Sequence, residues 1–247
     1  MLGEKHDNPD HHALQARALG EMLARGRQPA VLLEMIDVDR QPAIDAYLAE
    51  PRASGAGFGA AMDWETRGWP TYTWYEPMLT IAMKARLPIL AANLPLADAR
   101  GIVRRGLGAL DEATVRRLGL DQPFSKSQAA EVREEMRTSH CGHLPEEMLE
   151  PMALAQRARD AIMAWRMVEA KNGRSVVLIA GAGHGRIDRG VPAFIRARAP
   201  GARIVSVAFA EVERGVEVPN AQAFDFVWYT PRATDEDPCA AMRKPAR

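Results

Sequence analysis

The chain has very little cysteine, which limits the class of protein it can be. It has 247 residues, and only Cys141 and Cys239 carry thiols. Two cysteines cannot build a disulfide scaffold or supply the ligands of a cysteine zinc finger. A single Cys141–Cys239 bridge stays open, because pairing depends on a geometry that the sequence does not fix.

Long apolar runs and an excess of one charge are also missing. No run reaches the roughly 18 apolar residues of a membrane-spanning helix, so no transmembrane segment is expected in this chain. The 32 basic and 32 acidic residues cancel, which gives no reason to expect nucleic acid or an anionic membrane as partner. The apolar content of 47% and charged content of 26% are typical of a globular protein.

A signal peptide is missing too. The motif Gly3-Glu4-Lys5-His6 should end a strand, yet only two residues precede it. We therefore expect the chain to lack its natural N-terminus, so its targeting cannot be read from the sequence.

Apolar strands alternate with helical patterns along most of the chain. Asn8-Pro9-Asp10 is a strong helix start, and this helix should run to about Arg25. The predicted strands are residues 29–36, 87–94, 175–180, 203–209 and, as a last edge strand, 224–229. This alternation predicts an α/β fold, with a mainly parallel sheet that has helices on both faces.

One segment interrupts that rhythm. Residues 96–137 contain several short helical patterns and no convincing strand, which predicts a small inserted helical subdomain. The α/β domain should then be discontinuous and comprise residues 1–95 and 138–230, with a long helix from Pro145 to about Lys171. Residues 231–247 are expected to be a disordered polar tail.

Polar side chains follow several of the predicted strands. Glu4 and His6 point to the same side of an extended chain. His184 follows a second strand within Gly181-Ala182-Gly183-His184, and Glu34 and Asn93 lie near the ends of two more. The carboxyl ends of parallel strands meet at one edge, so we expect these side chains to share a crevice. The alternative for Glu4 and His6 is a helix-capping turn with solvated side chains.

For two other groups of residues, the sequence is compatible with more than one interpretation. His140 and His143 lie in a loop before the long helix, where a metal pair or solvated side chains are both compatible with the spacing. Trp64, Trp69, Tyr72, Trp74 and Tyr75 lie within a dozen residues. That cluster could cover a sheet edge or form the apolar wall of a site for a large flat ligand.

Segments spread along the chain resemble, in the same order, the ChaN-like family of haem-binding, iron-regulated bacterial lipoproteins. The segments are Leu2–His12, Leu33–Met35, Gly68–Pro70 with Tyr75 and Pro77, Gln156–Ala164 and Ala180–Pro192. The family lies within the wider superfamily of Tiki, TraB and erythromycin esterase. The resemblance implies a parallel α/β sheet with a small helical domain, which agrees with the prediction from the residues.

The resemblance also implies a function. Haem would lie in an apolar pocket, with a tyrosine as axial ligand. Two subunits of a homodimer could share this pocket. Tyr75 is the position that would take this role, and Tyr72 is the fallback. Histidine and lysine groups that hold the propionates would be sought among Lys5, His6, His12 and His184. The location implied is periplasmic or anchored at the outer membrane.

An enzyme is the alternative, because the superfamily contains metal-dependent hydrolases. In that case His6 and His184 would hold a divalent metal, with Glu4 as general base and Glu34 as a further carboxylate at the site. A serine nucleophile is not favoured, since the chain has no Gly-x-Ser-x-Gly elbow. Of the two hypotheses we prefer haem binding, which would make the protein a carrier and not an enzyme.

Overall fold

The computed structural model describes residues 1–213, 221–237 and 239–240. Its strands are β1 (Leu2–Glu4), β2 (Ala30–Asp37), β3 (Ile89–Asn93), β4 (Val176–Gly181), β5 (Val207–Glu211) and β6 (Phe226–Thr230). Its α-helices are α1 (Pro9–Ala24), α2 (Gln41–Leu48), α3 (Gly55–Ala61), α4 (Tyr72–Lys84), α5 (Leu96–Arg105), α6 (Glu112–Leu118), α7 (Lys126–Ser139), α8 (Glu146–Ala170) and α9 (Val191–Arg198).

The strands form a six-stranded sheet in the order β3-β2-β4-β1-β5-β6. Each neighbouring pair is parallel. The short β1 lies inside the sheet, where Leu2 pairs with Ile179 of β4 and with Val207 of β5. The carboxyl ends of β1, β2 and β4 therefore meet at the centre of one edge.

Apolar side chains cover both faces of the sheet. On one face, Val31 and Leu33 of β2 belong to a core that also contains buried residues of α1 to α4. On the other face, Leu32 packs in a core with Met163 and Met167 of α8 and residues of α9. Successive residues of a strand point to opposite faces, so an apolar run such as β2 builds both cores. The predicted fold class is confirmed.

Most predicted elements lie within two residues of those in the structure. The predicted helix cap is present, since the side chain of Asn8 accepts a hydrogen bond from the backbone N–H of Asp10 at 2.9 Å. β6 is an edge strand, as predicted. The strand predicted from residue 203 begins only at Val207, where its pairing with β1 begins. Apolar residues ahead of that point have no strand partner.

Two compact units make up the chain. The first comprises Met1–Asn93 and Met163–Ala233, and it contains the whole sheet. The second comprises Leu94–Ile162 together with the segment that begins at Thr234, and it contains α5 to α7 and the first part of α8. The boundary of the compact helical unit thus lies at residue 162 and not at residue 137, because the long helix α8 begins inside the second unit. The predicted domain boundaries stay a prediction.

A disulfide joins Cys141 to Cys239 within the second unit, with Cα atoms 5.6 Å apart. Cys239 lies in the segment predicted to be a disordered tail, so this part of the tail is held in place. Residues 238 and 241–247 of that segment lie outside the described residues. Within the part of the chain that is described, no helix is both long and apolar enough to cross a membrane.

Candidate functional site: a buried carboxylate and histidine cluster

The cluster lies at the carboxyl edge of the three central strands. Glu4 ends β1, and in the sheet it pairs with Gly181 at the end of β4. Glu34 lies in β2 just where the pairing of that strand with β3 becomes irregular. His184 lies in the 3-10 turn that follows β4. The structure thus brings together four of the five side chains predicted at strand ends, namely Glu4, His6, Glu34 and His184.

Glu4 is the most fully bonded member of the cluster. Its Oε1 accepts hydrogen bonds from Nδ1 of His6 at 2.7 Å and from the hydroxyl of Tyr75 at 2.9 Å. Its Oε2 accepts one from Nε2 of Gln15 at 2.5 Å. Burial alone would raise the pKa of Glu4, but the positive charge of His12 and the hydrogen bond and charge of His6 lower it. Glu4 is therefore an ionised group that orients its neighbours, and it fits poorly as a general base.

His6 is the member that reaches solvent, with 33% of its side chain exposed. Nδ1 donates to Glu4, so in the neutral ring Nε2 carries the lone pair. That nitrogen lies 3.8 Å from Oε2 of Glu34. Burial lowers the pKa of His6, but the hydrogen bond to Glu4 and the charges of Glu34 and Glu4 outweigh it, so the pKa is raised. His6 can hold or release a proton at Nε2.

Glu34 and His184 form a second pair beside the first. Nε2 of His184 lies 3.2 Å from Oε1 of Glu34, and the backbone N–H of Gly181 donates to Oε2 at 2.7 Å. Burial would raise the pKa of Glu34, but the charge and hydrogen bond of His184 and the charge of His6 lower it to about 2. A carboxylate between two histidines is therefore kept ionised at neutral pH.

His12 lies behind Glu4 on α1. Its Nε2 lies 2.9 Å from the carbonyl oxygen of His6, so Nε2 carries the proton and donates. Its Nδ1 lies 3.3 Å from Oε2 of Glu4, without hydrogen-bond geometry. The ring stacks on Trp74 and packs against Tyr75. His12 therefore fixes the backbone that presents His6.

Lys5 points away from this cluster. Its ammonium pairs with Glu211 at 2.9 Å and with Asp7 at 3.3 Å. The hydroxyl of Tyr72 donates to the carbonyl of Gly55 at 2.5 Å. Asn93 is buried at the end of β3. Of the side chains predicted to hold a ligand, Glu4, His6, His12, Glu34, Tyr75 and His184 lie together, and Lys5 and Tyr72 make contacts elsewhere.

Gln15 had no place in the sequence prediction, and Gly181 was predicted only as part of the turn that carries His184. Gln15 is a polar residue on the buried stripe of α1, and such a residue must find a hydrogen-bond partner. Gly181 leaves room for the histidine, since a Cβ at this position would lie 2.9 Å from Nε2 of His6. A polar residue inside an apolar stripe was the available signal for Gln15.

A metal centre receives no support from this arrangement. Across the described residues, no three histidine, cysteine or acidic side chains converge in a way that could hold a metal ion. In the loop before α8, His143 is exposed, and Nδ1 of His140 lies 2.8 Å from the carbonyl oxygen of Met136. The predicted divalent metal on Glu4, His6, Glu34 and His184 is thus not supported.

Residues 1–195 match the family described as haem-binding uptake, Tiki superfamily, ChaN. The chain belongs to this family. A search of curated proteins found no match.

Three solved structures are similar to this chain, and the first of them, with a TM-score above 0.5, has the same fold. ChaN of Campylobacter jejuni, with cofacial heme binding, is 20% identical and has a TM-score of 0.65, over 91% of this chain and 84% of that one. A mutant of the erythromycin esterase EreC in its open conformation is 12% identical, with a TM-score of 0.46 over 85% of this chain and 69% of that one. The type III effector HopBA1 is 12% identical, with a TM-score of 0.48 over 93% of this chain and 85% of that one.

Proposed function

We propose that this protein binds haem and serves bacterial iron uptake. The observation that carries the proposal is the family match, which covers residues 1–195 and includes the whole carboxylate and histidine cluster. The parallel α/β fold agrees with that assignment. A homodimer that shares its haem between subunits is part of the proposal, as is a periplasmic or outer-membrane-anchored location. The Cys141–Cys239 disulfide supports such a location, because disulfides persist in oxidising compartments such as the bacterial periplasm.

Tyr75 is the axial ligand that the family resemblance implies. The surroundings of its side chain disfavour that role. The side chain is 1% exposed and its hydroxyl donates to Glu4. Burial and the negative charge of Glu4 raise the pKa of Tyr75 far above its ordinary value. A phenolate that binds ferric iron would need the opposite environment. Burial likewise raises the pKa of Tyr72, the fallback. Tyr229 on edge strand β6 differs from both buried tyrosines, because 52% of it is exposed to solvent.

A hemin titration tests the function and the tyrosine ligand together. The protein should bind hemin with a saturable shift of the Soret band, and a tyrosine ligand should give a high-spin ferric spectrum. If Tyr75 is that ligand, Tyr75→Phe loses this spectrum, and Tyr72→Phe and Tyr229→Phe keep it. A wild-type protein whose Soret band does not change on addition of hemin would contradict the proposal. Light scattering with and without hemin tests the homodimer.

The second candidate function is hydrolysis, and the Glu4–His6 pair favours it. An imidazole oriented at Nδ1 by a carboxylate, with Nε2 free, can take a proton from water that attacks an ester carbonyl. The proton then goes to the leaving alkoxide. The predicted role of Glu4 as base passes in this scheme to His6, with no metal required. Activity against an ester and peptide panel that disappears in His6→Ala, in protein shown to be metal-free, would support the enzyme. A protein that turns over none of these substrates would contradict the hydrolase hypothesis.

A further inference from the structure

The edge strand β6 exposes an apolar surface. Phe226, Trp228 and Tyr229 are 64%, 49% and 52% exposed, and they lie on both faces of the strand. Proteins usually protect an edge strand with charged side chains, with proline or with a covering segment, because an open edge pairs with other chains. β6 contains neither a charged residue nor a proline. Its surface is therefore typical of a contact between proteins.

The backbone of β6 has one side that faces away from the sheet. The N–H of Phe226 donates to the carbonyl of Ser206, just before β5, at 3.1 Å. Successive residues of a strand direct their N–H and C=O groups to opposite sides, so Val227 and Tyr229 direct theirs away from β5. β6 ends the sheet order, and among the described residues no strand pairs with this side. Val227 and Tyr229 can therefore bond to a further strand.

A second copy of β6 is complementary to this edge. In an antiparallel pair with a two-fold axis at Trp228, Val227 lies opposite Tyr229 of the second copy. These two residues then exchange N–H···O=C hydrogen bonds in both directions. The two Trp228 residues face each other as a non-hydrogen-bonded pair, in which side chains lie closest. Aromatic pairs across neighbouring strands are stabilising.

The residues around the strand allow this register. Asp225 lies opposite Pro231 of the second copy, and Phe224 lies opposite Arg232, so like charges do not face each other across the axis. The guanidinium carbon of Arg17 on α1 lies 5.9 Å from the centroid of the Trp228 ring. A cation at this distance from the ring attracts it and limits its motion. The central aromatic side chain is thus already ordered before a partner binds.

We infer that two copies of this chain associate through β6 and join their six-stranded sheets into one continuous sheet. The family match covers residues 1–195, so it assigns no role to β6. The inference goes beyond the proposed function, because this association requires no haem, whereas the homodimer proposed above shares its haem. The contact covers one short strand on each copy, so we expect an affinity on the order of micromolar, as for small interfaces.

The test measures the mass of hemin-free protein by light scattering at concentrations from about 1 to 100 µM, which bracket a micromolar affinity. Wild type should change from the monomer mass to twice that mass as concentration rises. Trp228→Glu and Trp228→Lys should each stay monomeric, because like charges then face each other at the axis. An equimolar mixture of the two variants should recover the dimer, because Glu and Lys then lie opposite each other. Recovery in the mixture also shows that both variants are folded.

Two further variants are controls for position. Leu96→Glu should dimerise like wild type, because Leu96 is exposed to a similar extent, 48%, but lies on α5. Val227→Pro removes an N–H that faces away from β5, so the sheet should persist while association weakens by about tenfold or more. Hemin-free wild type that stays monomeric throughout would overturn the inference, as would a mixture of the Trp228 variants that stays monomeric. A dimer that forms only with hemin would overturn it too and leave the proposed function standing.

Discussion

At the scale of single residues, Gly181 sets how close the ring of His6 can lie to the end of β4. A Cβ there would lie 2.9 Å from Nε2 of His6 and 3.7 Å from Oε2 of Glu34. We expect Gly181→Ala to displace the imidazole and to lower the free energy of unfolding by about 1–3 kcal/mol. Gly20 in α1 is the control, because its Cβ would meet nothing within 4 Å. Gly20→Ala should stabilise by about 0.5–1 kcal/mol. Urea unfolding measures both, and equal effects would contradict the packing argument.

The titration of His6 is a second property of single residues. Glu4 holds the pKa of His6 up by a hydrogen bond and by charge, whereas Glu34 acts through charge at 3.8 Å. Both Glu4→Gln and Glu34→Gln should lower the pKa of His6, and Glu4→Gln should lower it more. NMR of the ring protons over a pH series measures this. A His6 titration that Glu4→Gln leaves unchanged would refute the assigned hydrogen bond.

A stability change with pH follows from the same shift. A raised folded-state pKa means that His6 contributes stability below its ordinary value of 6.5 and loses it as pH rises through the raised value. His11 acts in the opposite sense, since burial lowers its pKa and its contribution is lost as pH falls below 6.5. A comparison of the free energy of unfolding of Glu4→Gln and of wild type isolates the stability that His6 loses as pH rises. The variant should lack this loss of stability.

Which residues converge was readable from the sequence, and which bonds they make was not. Glu4, His6, Glu34 and His184 each lie at or just beyond an apolar run, so strand ends alone placed them together. The bond from Tyr75 to Glu4 depends on how α4 packs on the sheet, and that packing leaves no periodic signal. Lys5 is the opposite case, because the sequence already predicts its direction. It alternates with Glu4 and His6, so its side chain points to the other side of the strand.

At the scale of elements, the start of α1 connects the first strand to the far edge of the sheet. The side chain of Asn8 caps the helix, and its amide donates to Glu211 of β5 at 2.8 Å and to the carbonyl of Pro231 at 3.1 Å. The residue is buried, so Asn8→Ala removes a cap and also the two hydrogen bonds that its amide donates to Glu211 and Pro231.

We expect Asn8→Ala to destabilise by about 2–3 kcal/mol, the sum of a helix cap and of the lost hydrogen bonds of the Asn8 amide. Ser54→Ala is the matched control, because Ser54 caps α3 through its hydroxyl but is exposed. It should cost about 0.5–1 kcal/mol. Thermal and urea unfolding give both values. A cost for Asn8→Ala no larger than that for Ser54→Ala would mean that the amide contacts contribute nothing.

The elements were predicted better than their arrangement. Each apolar run of the α/β part became a strand because both faces of the sheet are covered. The order β3-β2-β4-β1-β5-β6 was not readable, since parallel strands are joined by long crossovers that leave their neighbours open. The insertion shows the same limit, because α8 continues from one compact unit into the other and the sequence of a continuous helix marks no boundary.

At the scale of the whole molecule, one disulfide closes a loop that leaves the second unit, contains Met163–Ala233 of the first unit and returns to the second. Cys141 and Cys239 are 98 residues apart, so the bond closes a long loop. In the chain-entropy account, loops of about 100 residues gain up to about 4.7 kcal/mol, and typical measured values are about 2–4 kcal/mol. The bond also holds the turn that carries His140. Its loss should therefore lower the stability of the protein.

We expect Cys141→Ser combined with Cys239→Ser to lower the free energy of unfolding by about 2–4 kcal/mol, because the unfolded chain regains the entropy of an open loop. Hydrogen exchange should show reduced protection in peptides from residues 94–162 and unchanged protection in β1 and β2. Wild type treated with reductant should behave like the double variant, and the double variant should not respond to reductant. Protection that stays the same in residues 94–162 after reduction would mean that the bond adds nothing to the stability of this unit.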